Sequence, residues 1–380
     1  MKTAFRNLRL ALALCVCAPG ALHAAAYTWT GGTSSDWDNA SNWSGGVVPA
    51  FSNTTDTVTI NVRSGPVLTS LTATTAAFTI GGAANTTGSL ALINSSLYSV
   101  SINSGGNATG TAFITLDNST WYVPNNLFLG GNGHAVVELH GNSAITNAGP
   151  VSTTGNVGLA QNAGAVGILT LNDNSVWQSA NILYVGFRSS GTLHMNDNSK
   201  AVSRTNFYIG GNGATTARGW VDMSGAARIT VGGFAEIGST GIGALIMSGN
   251  SLLNISGTAN TLIGASAGAE GAVTLSDNAV FRTAWDLLVG AAGDGRITFL
   301  NGGFVQANAS VITLSASSAS SHGTIEIAGN GAHSITRIDG TTPVGINGGA
   351  GTAKMRFAHS NPGLVFGNPL TGSLAVEVDG

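Results

Sequence analysis

The feature that most restricts the fold of this chain is an internal repeat that begins near Thr115. Segments such as LTLNDNSVW, LHMNDNSKA, LIMSGNSLL and VTLSDNAVF recur, each with alternating apolar residues followed by Asp or Ser, Asn and a small residue. The Asn slot recurs at intervals of 24, 32, 24, 28, 24, 28 and 24 residues, at Asn118, Asn142, Asn174, Asn198, Ala226, Asn250, Asn278 and Gly302. Such spacing indicates an array of units that pack on their neighbours.

A second recurring feature is an apolar residue followed by glycine. The glycines stand at Gly130, Gly158, Gly186, Gly210, Gly238, Gly264 and Gly290, preceded by Leu129, Val157, Val185, Ile209, Ile237, Ile263 and Val289. Repeat length varies mostly after this glycine, which indicates a surface turn, since an insertion there disturbs no strand pairing.

Within each repeat the apolar residues alternate, which is typical of β-strands. Pairs such as Leu169 and Leu171 flank a position that is mostly polar, such as Thr170. Three places after the Asn slot another apolar column contains Trp121, Ile145, Trp177, Ala201, Ile229, Leu253, Phe281 and Val305. Three short strands per repeat therefore each supply inward side chains.

Energetics and composition together favour stacking of these strands. Burying about six apolar side chains gives on the order of 10 to 18 kcal/mol, whereas ordering one repeat costs roughly 26 to 50 kcal/mol. The chain has 55 glycines and only 8% charged residues, which disfavours helices. We therefore expect an all-β, right-handed parallel β-helix of roughly 11–12 coils. The Asn slot is expected to take left-handed turn backbone and to bond between coils.

The chain is expected to divide into five segments. Lys2, Arg6 and Arg9 precede an apolar run and three alanines, so residues 1–26 are predicted to be a secretory signal peptide that contains both cysteines, Cys15 and Cys17. Residues 27–59 are predicted to be an N-terminal cap, 60–114 degenerate opening coils, 115–315 regular repeats and 316–380 divergent closing coils. A lipid anchor is disfavoured because Leu14 precedes Cys15.

Charge and motif content exclude several functional classes. Removal of the signal peptide leaves 11 basic and 17 acidic residues, a net charge of −6, so nucleic acid is not an expected partner. No stable transmembrane segment is expected within the chain. The glycine-rich turns lack the Lys-Ser or Lys-Thr of a phosphate loop. The histidines at 134, 140, 194, 322, 333 and 359 occupy different phases of the repeat, and we predict no metal site and no cofactor.

Two groups of residues have both a structural and a functional interpretation. Trp29, Trp37 and Trp43 favour a cap over the open end of the stack, the alternative being a platform for sugar rings. Asp173 and Asp197 occupy equivalent turns of adjacent repeats and could act as the acid and base of a glycosidase. We favour Asx turns for them, because the equivalent position is also assigned to Asp117, Gly249 and Asp277. No catalytic residue is predicted.

The repeats between roughly residues 80 and 315, together with the start WTGGTSSDWDNASNW, resemble the passenger domains of type V autotransporters. The same repeat is shared with PEP-CTERM surface proteins of Gram-negative bacteria. The segment from Met355 to Gly380 is similar to a passenger segment in which an F-x-H motif, here Phe357 to His359, precedes further strands. The resemblance implies a β-helix exported through the inner membrane to the cell surface or the medium. Because neither the translocating barrel nor the PEP-CTERM ending follows, we expect a truncated product or an incomplete reading frame.

From the resemblance we expect an adhesin or structural stalk that makes multivalent contacts through Thr, Ser, Asn and exposed aromatics such as Tyr122. Host-cell or matrix surfaces, glycans and self-association are the expected partners. The alternative is a polysaccharide lyase or glycoside hydrolase, which requires clustered Asp with Lys or Arg in a groove. An ice-binding solenoid is a third idea, but Thr-x-Thr ladders are not sustained.

Overall fold

The computed structural model describes residues 24–49, 54–148, 155–308, 311–337, 341–360 and 364–379. Residues 1–23 of the predicted signal peptide, including Cys15 and Cys17, lie outside the described residues. The described chain is all-β, with about 56% strand, and forms a parallel β-solenoid of about 13 turns. The predicted fold class is therefore confirmed. The turns are slightly more numerous than expected, because coils outside the regular repeat keep its backbone pairing without its sequence motif.

The strands follow one another in short segments. The opening strands are β1 (Ala26–Thr28), β2 (Thr57–Ile60), β3 (Val67–Thr69), β4 (Thr72–Ile80), β5 (Thr87–Ile93) and β6 (Ser96–Ser104). Two 3-10 turns, Ala40–Asn42 and Ser44–Gly46, lie between β1 and β2.

The repeats contain most of the strands. They are β7 (Thr111–Asp117), β8 (Thr120–Tyr122), β9 (Leu127–Leu129), β10 (His134–His140), β11 (Ala144–Thr146), β12 (Val157–Leu159), β13 (Val166–Leu171), β14 (Val176–Ser179), β15 (Leu183–Val185), β16 (Ser190–Met195), β17 (Lys200–Ser203), β18 (Phe207–Ile209), β19 (Arg218–Met223), β20 (Arg228–Val231), β21 (Ala235–Ile237), β22 (Ile242–Met247), β23 (Leu252–Ile255), β24 (Thr261–Ile263), β25 (Glu270–Thr283), β26 (Leu287–Val289), β27 (Asp294–Ala307) and β28 (Val311–Leu314). The closing strands are β29 (His322–Gly329), β30 (His333–Thr336), β31 (Gly345–His359) and β32 (Leu370–Val378).

Each coil contributes a first, a second and a third strand, and every strand pairs in parallel with its equivalents in the adjacent coils. First strands run from β7 through β10, β13, β16, β19 and β22 into the N-terminal halves of β25 and β27. In the second strands Trp177 pairs with Ala201, and Ala201 with Ile229. The predicted superposition of equivalent side chains is therefore confirmed.

The inward columns form one continuous hydrophobic core. It extends from Trp29 in the first coil to Met355 near the end of the stack. The second-strand column from Trp121 to Val305 is fully buried. In β13 the burial alternates, with Leu169 and Leu171 inside and Thr170 outside. Period-two patterning thus places the core as the sequence predicted.

The corner glycine was misassigned in one coil. Gly158 lies in the middle of β12 and pairs with Phe128 and Tyr184, so that its neighbour Leu159 pairs with Val185. The left-handed corner residue of that coil is Ala160, with φ 60°, equivalent to Gly186 with φ 73°. The apolar-Gly motif identified the wrong glycine because this coil has glycine at the mid-strand position and alanine at the corner.

The Asn slot was also placed one residue too late. The left-handed residues are Gly141, Asp173, Asp197, Gly225, Gly249 and Asp277, which precede the predicted slot. Asn118, with φ 44°, is itself left-handed, because Asp117 pairs with His140 and Asn118 therefore corresponds to Gly141. Gly302 is also left-handed, with φ 131°, as is Asn301 before it, with φ 57°. The predicted bonds between stacked amides do form, from Asn174 Nδ2 to Asn142 Oδ1 and from Asn278 Nδ2 to Asn250 Oδ1.

Candidate functional site

The aspartates considered as an acid–base pair each accept a backbone hydrogen bond across the corner. Asp173 Oδ2 accepts from the Gly141 amide at 2.8 Å, and Asp197 Oδ2 accepts from the Asp173 amide at 3.1 Å. Asp277 repeats the arrangement, accepting from the Gly249 amide at 2.9 Å. A carboxylate at this corner thus links one coil to the preceding one. These contacts support the structural interpretation of Asp173 and Asp197.

The N-terminal tryptophans lie over the end of the core. Trp29, Trp37 and Trp43 are 1%, 1% and 3% exposed. Trp43 packs edge-on against both of the others, at 5.0 and 4.7 Å between ring centroids, and Trp37 contacts Phe78 of the next coil. Because the ring faces are buried, no sugar can stack on them, and capping is the interpretation that this geometry supports.

The predicted exposed aromatic Tyr122 is only partly exposed. Its ring lies 5.4 Å from that of Tyr98, and its hydroxyl oxygen is buried. Burial raises the pKa of Tyr122, with the neighbouring Tyr98 as the smaller cause. More exposed aromatics among the described residues are Trp220, Trp285 and Phe113, at 45%, 47% and 36%. Tyr122 is therefore less exposed than predicted.

An aromatic column on the outer face of the third strands was not predicted. Phe128, Tyr184 and Tyr208 face away from the main core but are at most 9% exposed. The rings of Tyr184 and Tyr208 stack at 5.3 Å. The sequence signal was the residue two places before the corner glycine, such as Tyr184 before Gly186, whereas only the apolar residue next to the glycine was considered.

In the next coil the column contains Glu236, which pairs in register with Tyr208. Burial raises the pKa of the Glu236 carboxyl, while a 2.5 Å hydrogen bond from Ser239 opposes the shift. Burial, and next the charge of Glu236, raise the pKa of Tyr208 to about 12. Beyond Glu236 the column continues with Leu262 and Leu288, which line a cavity of about 400 Å³.

The outer face of the first strands carries the most extensive group of charged side chains that the described residues bring together. We call the group formed by Arg296, Glu326, Lys354, Arg356, Glu377 and Asp379 the charged cluster; its residues, with Thr324, line a cavity of about 400 Å³. Arg356 bonds Glu326 at 3.0 Å and Asp379 at 2.5 Å, and Lys354 bonds Glu377 at 2.7 Å. Arg296 also pairs with Glu326, whose side chain is 7% exposed.

The charged cluster was missed because its members come from four consecutive coils. Arg296, Glu326, Arg356 and Asp379 are far apart in sequence, and the register of β27, β29, β31 and β32 places them side by side. The basic residues are spread along the sequence, but the structure brings three of them, Arg296, Lys354 and Arg356, onto one patch.

The histidines are distributed over several environments. His322 Nδ1 lies 2.6 Å from Asp294 Oδ1, a pairing that the sequence analysis did not foresee. His333 lies between Phe299 and His359, and burial is the main cause that lowers its pKa. Among the described residues no group of three or more His, Cys, Asp or Glu side chains could hold a metal ion. Within the same residues no helix is long and apolar enough to cross a membrane.

Comparison with known proteins gives no relative. No family model, curated protein or solved structure matches the chain. The functional interpretation therefore depends on the geometry of the solenoid and its outer faces.

Proposed function

We propose that the chain is an exported bacterial surface protein, similar to an autotransporter passenger, whose solenoid acts as an adhesin or structural stalk. One observation carries the proposal: every coil is paired with the next in a single parallel stack of about 13 turns. Such a stack is roughly 60 Å long at the spacing of paired strands. A stack of this length can hold a binding surface at a distance from the bacterial cell.

The outer surface supports contact with a partner at many points. Outward side chains repeat once per coil, and many of them are Thr, Ser or Asn, so weakly binding groups recur at roughly 4.8 Å intervals. Contacts arranged in this way strengthen one another because the first contact raises the effective concentration of the next. Host-cell surfaces, matrix, glycans and further copies of this chain are the proposed partners.

A deletion and complementation experiment tests adhesion. The source bacterium without this gene should bind host cells or form biofilm less well than the parent, and expression of the full reading frame should restore the binding. Immunolabelling of intact cells checks that the protein is exposed. Equal adhesion of the parent and the deletion strain, with the protein present on the parent's surface, would contradict the proposal.

A polysaccharide lyase or hydrolase is the second candidate, and the charged cluster is the observation that favours it. Carboxylates beside arginine and lysine on one solenoid face are the groups that such a reaction requires. Incubation with pectate and alginate, followed by ultraviolet absorbance and reducing-end measurement, tests this candidate. Product formation that is lost in Arg356→Gln would support an enzyme, whereas the absence of product from both polymers would count against it.

A further inference from the structure

The outer face of the first strands contains a shallow trough between an exposed indole and an arginine. Four outward residues of consecutive coils pair in register and form one row, here called a file: Trp220, Ala244, Ala272 and Arg296. The two alanines leave the space between the large end residues open. With about 4.8 Å between coils, the distance from Trp220 to Arg296 along the stack is roughly 14 Å.

The C-terminal part of the trough is a cavity of about 350 Å³ that begins at Ile242 and Ala244 and ends at His322 and Thr324. Its side is formed by Glu270, Asp294 and His322, which follow Ile242 in the neighbouring file of the same strands. Arg296 lines the cavity one coil before this end and is also part of the charged cluster. The site is thus built from side chains of the first strands, which are held rigidly by their pairing.

Hydrogen-bond donors and acceptors both line the trough. The His322–Asp294 pair is exposed, with side-chain exposures of 56% and 61%. Arg296 is 52% exposed, donates from Nε to Thr298 Oγ1 at 3.0 Å and pairs with Glu326, and these two contacts orient its guanidinium. Donors of Arg296 and acceptors of Glu270 and Asp294 thus line the cavity, and Trp220 lies one coil before its edge at Ala244.

These features select one class of ligand. An added peptide strand needs free backbone groups, but β22, β25 and β27 are paired on both sides. The carboxylates of Glu270 and Asp294 disfavour uronate polymers and nucleic acid by repulsion. A neutral sugar offers an apolar ring face to the indole and hydroxyl groups that both donate and accept.

We propose that the trough binds a neutral oligosaccharide that lies along the solenoid, with one ring on Trp220 and hydroxyl groups on Glu270, Asp294 and Arg296. The inference rests on the proposed adhesive function and specifies the ligand class and the place of contact. Ala244 and Ala272 accommodate the rings between the two ends of the trough.

Isothermal titration of the purified full chain with cellohexaose, chitohexaose, mannohexaose and hexagalacturonate tests the site. At least one neutral hexasaccharide should bind, and Trp220→Ala should weaken its binding at least tenfold. Trp285→Ala is the matched control, because Trp285 is equally exposed on another part of the coil; its affinity should equal that of the wild type. Ala272→Arg should also weaken binding at least tenfold, because the long side chain fills the trough.

Three results would overturn the site: no neutral hexasaccharide binds, hexagalacturonate binds more tightly than all of them, or Trp220→Ala and Trp285→Ala bind equally well. Thermal denaturation shows whether each variant is folded. If Trp220→Ala does not fold, the binding of Ala272→Arg tests the site instead. The adhesion assay remains separate. Normal sugar binding with unchanged bacterial adhesion would contradict the adhesive function alone, whereas loss of adhesion in the deletion strain without sugar binding would contradict the site alone.

Discussion

At the scale of single residues, the corners are stabilised by hydroxyl groups that differ in their bonding. Ser95, Ser119 and Ser143 are buried and bonded in series: the Ser95 amide donates to the Ser119 hydroxyl, and the Ser119 amide donates to the Ser143 hydroxyl. In later coils the hydroxyl groups of Ser175, Ser199 and Ser251 are buried without a hydrogen-bond partner among the described residues. Equivalent corners can therefore differ in stability although their sequences are nearly alike.

We predict that Ser119→Ala destabilises the protein and that Ser199→Ala does not. The Ser119 hydroxyl accepts from the Ser95 amide at 2.9 Å and donates to the Asp117 carbonyl at 2.7 Å, so its removal should cost about 1 to 3 kcal/mol. The Ser199 hydroxyl has no partner, and the next coil has Ala227 in its place. Denaturant unfolding of both variants makes the comparison, and equal destabilisation would contradict the assigned bonding.

At the scale of strands, a column of glycines in the first strands permits close contact with the corner of the neighbouring third strand. It contains Gly167, Gly191, Gly219, Gly243, Gly271, Gly295 and Gly323. A Cβ atom built on Gly243 would lie 2.2 Å from the Gly238 nitrogen and 2.4 Å from the Ile209 carbonyl oxygen. Both are backbone atoms in a paired stack, so they cannot move aside independently.

Gly243→Ala should therefore destabilise the solenoid by roughly 1 to 3 kcal/mol through overpacking. Gly367→Ala is a suitable control, because a Cβ atom there meets no atom within 4 Å and the backbone is not left-handed. Thermal and denaturant unfolding measure the difference. A neutral Gly243→Ala variant would show that the neighbouring strands can separate, contrary to the tight contact described here.

At the scale of the whole molecule, stability depends on an uninterrupted core whose exposed end is covered. A repeat cannot bury its apolar side chains alone, so each coil depends on the next one. At the N-terminal end the ring of Trp37 covers Phe78, and Trp43 covers Trp37. The three indoles thus cover the N-terminal end of the core, which limits its association with another chain.

Trp37→Ala should lower the melting temperature, because loss of a buried indole costs about 3 to 5 kcal/mol. The decrease should be on the order of 5 °C or more. Trp285→Ala removes an exposed indole and should leave the melting temperature nearly unchanged. An unchanged melting temperature of Trp37→Ala, combined with lost glycan binding, would instead identify the tryptophans as a sugar platform.

The sequence by itself determined the fold class and the inward columns, because side-chain alternation is a local property that recurs in every repeat. The columns through Leu169 and Trp177 follow directly from this pattern. Only the tertiary structure decided which residues meet between coils, including the corner at Ala160, the aromatic column through Tyr184, and the patch around Arg356. These contacts depend on the register between coils of unequal length, and backbone pairing across the whole stack sets that register.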